Sequence, residues 1–125
     1  MPWSFQADTP IYTQLVARLQ EQIVSGAYPP GRKLPSVRDL AADAGVNPNT
    51  VQRAFAELER LGLIYTQRTS GKFVTEDAAA IDAARRALAE GQTRQYLAAM
   101  SALGFDRAAL ITFLNQMEET KDANS

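Results

Sequence analysis

Between Ala44 and Asn49 the chain has room to end one helix and begin another, and for nothing else. Gly45 is a residue for a helix end, where a left-handed backbone closes the last turn. Asn47 followed by Pro48 is a helix beginning: asparagine caps, and proline suits a first turn whose N–H has no intrahelical partner. Two helices separated by so little chain must meet around a tight glycine turn, which is the arrangement of a helix-turn-helix.

The neighbouring residues support both helices. Ser36 is an N-cap with Asp39 three residues on, and Val37, Leu40, Ala41 and Ala44 form the buried stripe of a short helix ending at Gly45. In the second helix Val51, Phe55 and Leu58 fall on one side, with Ala54 and Leu61 at its edge, and Gly62 ends it. Asn49, Arg53 and Arg60 point the other way, with Thr50 and Gln52 flanking them. Before the pair, Ile11, Leu15, Leu19 and Ile23 recur every four residues with Val16 beside them, predicting an amphipathic helix over residues 10–25 that stops at Gly26. "AYPPGRKLP" cannot be helical.

After Gly62 the period changes. "LIYTQRTSGKFVT" is dominated by β-branched and aromatic residues, with Thr69-Ser70-Gly71 where a hairpin turn would stand. Beyond Thr75 the chain becomes alanine-rich and helical until Gly104; Asp106 then caps a last helix carrying Leu110, Ile111, Phe113, Leu114 and Met117, and only the closing "KDANS" looks frayed. The fold class expected is mainly α with a small β-hairpin wing: a winged helix-turn-helix over residues 1–75, followed by a two-helix dimerisation tail over residues 76–125.

Composition narrows the function. A chain of 125 residues with 46% apolar and 22% charged residues supports one folded core. It has no cysteine and no histidine, which removes thiol nucleophiles, disulfides, zinc-finger ligand sets and the usual general base. No carboxylate pair or clustered lysine offers a replacement, so no catalytic residue, metal or cofactor is expected. No apolar run has the length of a membrane span, and the chain reads as cytoplasmic, with no membrane partner. The net charge of −1 hides an asymmetry: residues 1–75 hold eight Lys/Arg against six acids, and residues 76–125 hold five against eight. The two parts have different jobs.

In a helix-turn-helix the second helix enters the major groove and its first residues reach base edges. Asn and Gln pair with adenine, Arg with guanine, and Thr with a base, a thymine methyl or a phosphate. Asn49, Thr50, Gln52 and Arg53 are such a set on one helix start, although any exposed helix face is polar and this pattern alone does not separate the two readings. Arg38, in the first turn of the preceding helix, suits a phosphate, with Arg32 and Lys33 just before it, although Asp39 and Asp43 also offer it a surface ion pair. Arg68, Ser70, Gly71 and Lys72 give the hairpin tip a donor-rich turn; there too Gly71 serves equally as a turn residue and Lys72 as a charge guarding a strand edge. Tyr12, Tyr28, Tyr65, Phe55 and Phe73 are assigned to the core.

These stretches resemble the GntR family of bacterial transcriptional regulators. The likeness rests on "PIYTQLVARLQEQIVSGAYPPGRKLPSVRDLAADAGVNPNTVQRAFAELERLGLI" and "SGKFV", nearly all of residues 10–74, and the "NPNTVQRA" form is similar to the YtrA-type branch. The resemblance implies a winged-helix homodimer on a double-stranded DNA operator of two-fold symmetry, with contacts from Arg38, Asn47, Asn49, Thr50, Gln52, Arg53, Ser70, Gly71 and Lys72. It also implies a repressor with a short helical tail used for dimerisation. Thr69 departs from the glycine frequent at the wing, and Pro48 from the basic reader of other branches. The resemblance leaves open whether a small-molecule effector acts on the chain.

Ile81, Ala84, Leu88, Tyr96, Ala99 and Leu103 track one face of the long tail helix, while Leu97 and Met100 project elsewhere. One helix cannot bury both sides against a small domain. With Phe113, Leu114 and Met117 the excess points to a second copy of the tail; the two tail helices folding on each other is the other arrangement these residues allow. Gly91 marks either a bend or a tolerated weak point. The reading is therefore a dimeric, sequence-specific DNA-binding repressor, with a winged-helix protein–protein interaction module as the competing class. The placement of Arg38, Arg53 and Lys72 around the reader helix counts against the competitor.

Overall fold

Caps and glycines set the helix boundaries. Ser36 Oγ accepts the Asp39 N–H at 3.0 Å and starts α2, Val37–Ala44, which Gly45 closes with φ 72°. Asn47 Oδ1 accepts the Asn49 N–H at 2.8 Å and starts α3, Pro48–Arg60. α1, Ile11–Val24, precedes them; β1, Ile64–Gln67, β2, Gly71–Val74, α4, Ala78–Ala102, and α5, Arg107–Gln116, follow. The computed structural model describes residues 3–117, so "KDANS" lies outside the described residues. The chain divides into two compact units, one reaching Arg86 and the other starting at Ala87. This is a winged helix-turn-helix with further helices after it.

In the first unit α1, α2 and α3 close on one core. Leu15, Leu19 and Ile23 meet Leu40, Ala41, Val51, Ala54, Phe55 and Leu58, and Leu34, Leu63, Ile64 and Val74 seal the side toward the wing. Val51, Phe55 and Leu58 are essentially inaccessible, so each contributes about 1.5–3 kcal/mol of apolar burial. That stripe fixes the rotation of α3 about its own axis. Its opposite face has no choice but to look outward.

The wing is an antiparallel hairpin in the register Ile64↔Val74, Tyr65↔Phe73, Thr66↔Lys72 and Gln67↔Gly71. It gains a further neighbour from residues 31–34: Gly31 donates to Val74 O at 2.9 Å, Val74 to Arg32 O at 2.9 Å, and Leu34 to Lys72 O at 2.8 Å. The proline-rich connection is thus the outer partner of β2.

The first turns of α4 belong to this unit as well. Ile81 is buried in the same core and Ala84 packs on it. Arg85 donates from Nε and Nη2 to Val24 O at 3.3 and 2.9 Å, satisfying a carbonyl at the end of α1 where a cation is favoured. Ile81, expected on the dimer face, is already enclosed by its own chain and keeps no surface for a partner. At the other end Trp3 packs against the core and donates to Asp43 Oδ2 at 3.0 Å.

Of the five aromatic residues assigned to the core, only Phe55 is buried. Tyr28 packs on the core's edge, where burial and then the Asp43 carboxylate push its hydroxyl above the ordinary tyrosine range. Tyr65 and Phe73 stack across the wing at 5.7 Å, half-buried. Ring size makes these residues read as core, but a ring on a two-stranded sheet or a helix edge is covered on one face only.

In the second unit α4 runs through Gly91 without a break, and Asp106 Oδ1 accepts the Ala109 N–H at 2.8 Å to start α5. Leu110 is buried there, while Leu103, Ile111, Phe113, Leu114 and Met117 are exposed by 40–69%. Among the described residues no single helix is long and apolar enough to cross a membrane.

Candidate nucleic-acid interface

The turn at Gly45–Asn47 brings the N-terminus of α3 to the surface, and with it the polar residues picked from the sequence. Asn47, Asn49, Gln52 and Arg53 are exposed, Thr50 is half-buried, and Arg38 stands exposed in the first turn of α2. Asn47 is engaged as the cap through its oxygen, and its two amide N–H groups carry no such bond.

Arg53 is held from below. Its Cζ lies 4.0 Å from the centre of the Tyr12 ring, at the start of α1. Glu57, one turn further along α3, does not take its charge: both Glu57 oxygens accept from Arg60, at 3.0 Å from Nε and 2.6 Å from Nη2. Those hydrogen bonds hold the Glu57 carboxyl below its usual range.

The wing divides its donors. Ser70 is exposed at the tip, and Gly71 has φ 111°, a conformation that glycine takes freely. A Cβ on Gly71 would also stand 3.2 Å from Lys33 Cε. Lys72, expected to face DNA, instead turns along the sheet: Nζ donates to Glu59 Oε1 at 3.1 Å and to Thr66 Oγ1 at 2.8 Å, and Thr66 donates to Glu59 Oε2 at 2.8 Å. The Thr66 hydrogen bond, then Lys72, lowers the Glu59 pKa. The triad ties the wing to the C-terminal end of α3.

Among the described residues Arg32, Lys33, Arg38, Arg53 and Arg68 make no ion pair. Five cations without an ion-pair partner thus stand on α3, on α2, at the wing tip and on the strand beside it, in a chain whose net charge is −1. Sequence reasoning missed Tyr12, because a ring among apolar helix positions gives no sign that it faces a cation. No group of three His, Cys, Asp or Glu residues that could hold a metal ion comes together among the described residues.

The model of a family described as bacterial regulatory proteins, gntR family, matches residues 11–74. Over 115 residues the chain is 35% identical to the uncharacterized HTH-type transcriptional regulator YhcF of Bacillus subtilis, covering 92% of this chain and 95% of that one. It is 47% identical over 73 residues to the HTH-type transcriptional repressor YtrA of the same organism, covering 58% and 56%. A GntR family transcriptional regulator from Listeria monocytogenes superposes with a TM-score of 0.82 and 41% identity over 91% of this chain and all of that one. The DNA-binding domain of AraR, solved in complex with operator ORX1, superposes with a TM-score of 0.55 and 27% identity over 60% of this chain and 99% of its own.

Proposed function

The chain belongs to the gntR family of bacterial regulatory proteins and is a DNA-binding transcription regulator, and from that premise we propose that it is a repressor that grips a two-fold symmetric operator as a homodimer. The observation that carries the reading is the start of α3: Asn49, Thr50, Gln52 and Arg53 project from a helix whose other face is locked into the core. Asn49, Gln52 and Arg53 read base edges in the major groove, Arg38 holds a phosphate, and the wing tip at Ser70 and Gly71 approaches the backbone or minor groove. Asn47 contributes its amide N–H groups. Repression is supported by the likeness to YtrA, and operator binding by the likeness to the AraR domain.

The tail supports the dimer. Tyr96, Leu103, Ile111, Phe113, Leu114 and Met117 leave an apolar surface that a monomer would expose to water. Half-buried Leu88, Leu97 and Met100 complete it, and a second copy covers it most simply. The first unit is then the DNA-binding part and the second the dimerising part.

The test compares variants on a selected operator and on random duplex, each over a range of salt. Arg38→Ala weakens both duplexes alike and flattens the log–log salt slope by about one. Asn49→Ala costs about 1–3 kcal/mol on the operator and relaxes preference at one base position. Equal losses for Asn49→Ala on both duplexes would make it a backbone contact. Absence of salt-dependent binding by the parent chain would return the fold to a protein-interaction role.

A further inference from the structure

We propose that Tyr12 is a positioning residue for DNA recognition, holding the Arg53 guanidinium in place by its ring while leaving the N–H donors open. The inference rests on Arg53 being a DNA contact and adds the group that aims it. A long arginine side chain at an exposed helix start samples many rotamers, and fixing it on binding costs entropy. Here the charge lies 4.0 Å from the ring centre, inside the range at which the negative face of an aromatic ring attracts a cation.

The identity of the anchor matters more than its strength. A carboxylate at the same place would accept the guanidinium's forked donors, which are the groups that pair with guanine O6 and N7. Glu57 is one turn from Arg53 on the same helix, yet it accepts from Arg60 and makes no ion pair with Arg53. No carboxylate takes the Arg53 donors among the described residues, and the ring that holds the charge has no strong acceptor to compete for them. Tyr12 comes from α1 and Arg53 from α3, two helices fixed on one core by Leu15, Leu19, Phe55 and Leu58, so the ring is itself on a rigid base.

The test uses the full chain and a duplex selected by it from a random library. Tyr12→Phe keeps the ring and is expected to match the parent in affinity and base preference. Tyr12→Leu is expected to lose about two- to fivefold in affinity and to relax preference at the same base position that Arg53→Ala relaxes. The double variant Tyr12→Leu/Arg53→Ala is expected to be no weaker than Arg53→Ala alone, because Tyr12 acts through Arg53. In the free protein the Arg53 side-chain NMR signals are expected to carry a ring-current shift that persists in Tyr12→Phe and vanishes in Tyr12→Leu. Additive losses in the double variant, or equal losses for the Phe and Leu variants, would overturn the proposal by making Tyr12 an independent contact through its hydroxyl. An absent ring-current shift would overturn it too. If Arg53→Ala weakens all sequences equally, Arg53 is a backbone contact and not a base reader; non-additivity with Tyr12 then still supports the positioning role, and additivity still removes it.

Discussion

Glu59 decides what Lys72 can do. With both Thr66 and Lys72 donating to it, the carboxylate draws the lysine along the wing and away from the tip. Glu59→Gln removes the charge that holds Lys72, so the variant is expected to bind operator and random DNA more tightly and to steepen the salt slope by about one, as measured by fluorescence anisotropy. An unchanged slope would mean Lys72 stays on the sheet regardless. The same contact has a pH signature. The Glu59 pKa is lowered in the fold, so its contribution to stability is complete above the ordinary glutamate value and is lost as pH falls through the folded value. The melting-temperature gap between the parent and Glu59→Gln should therefore be largest near neutrality and close under acid conditions. A gap that widens as pH falls would contradict the assignment.

At the scale of elements, helix ends were the most legible part of the chain because their chemistry is local. Ser36, Gly45, Asn47 and Pro48 act on backbone groups two to four residues away, and the periodic Val51, Phe55 and Leu58 told which face of α3 is hidden. What the sequence did not show depends on residues far apart: the pairing of residues 31–34 with β2, the Tyr12 ring under Arg53, and the retention of Lys72 by Glu59. A backbone pairing has no side-chain signature, and an exposed lysine reads the same whether it meets a phosphate or a glutamate. Ile81 differs from its expected place for a similar reason, since its spacing fits the exposed face of the tail while its position near the start of α4 puts it against the core. Gly91 resolves as a weak point within a continuous helix, with open space where a Cβ would stand. Gly91→Ala is expected to stabilise the protein by about 0.5–1 kcal/mol in thermal unfolding. Destabilisation would mean that another chain packs its backbone against Gly91.

For the whole molecule, the division of labour predicts separable parts. Because Ile81, Ala84 and Arg85 complete the first unit, the informative truncation ends at Arg86 and not at Thr75. That fragment is expected to stay folded, to sediment as a monomer, and to bind the operator about 10²–10⁴-fold more weakly than the full chain, because the second half-site contact is no longer intramolecular. A folded dimeric fragment would take the dimer role away from the tail.

If two α3 helices read two equivalent half-sites, duplexes selected from a random library by the whole chain carry both. The symmetry of a homodimer reappears in the DNA it grips, so the expected result is enrichment of an inverted repeat whose half-sites are centred about one helical turn, roughly 10 base pairs, apart, with protection of both halves in a footprint. Enrichment of a single unrepeated half-site, or none above random sequence, would contradict it.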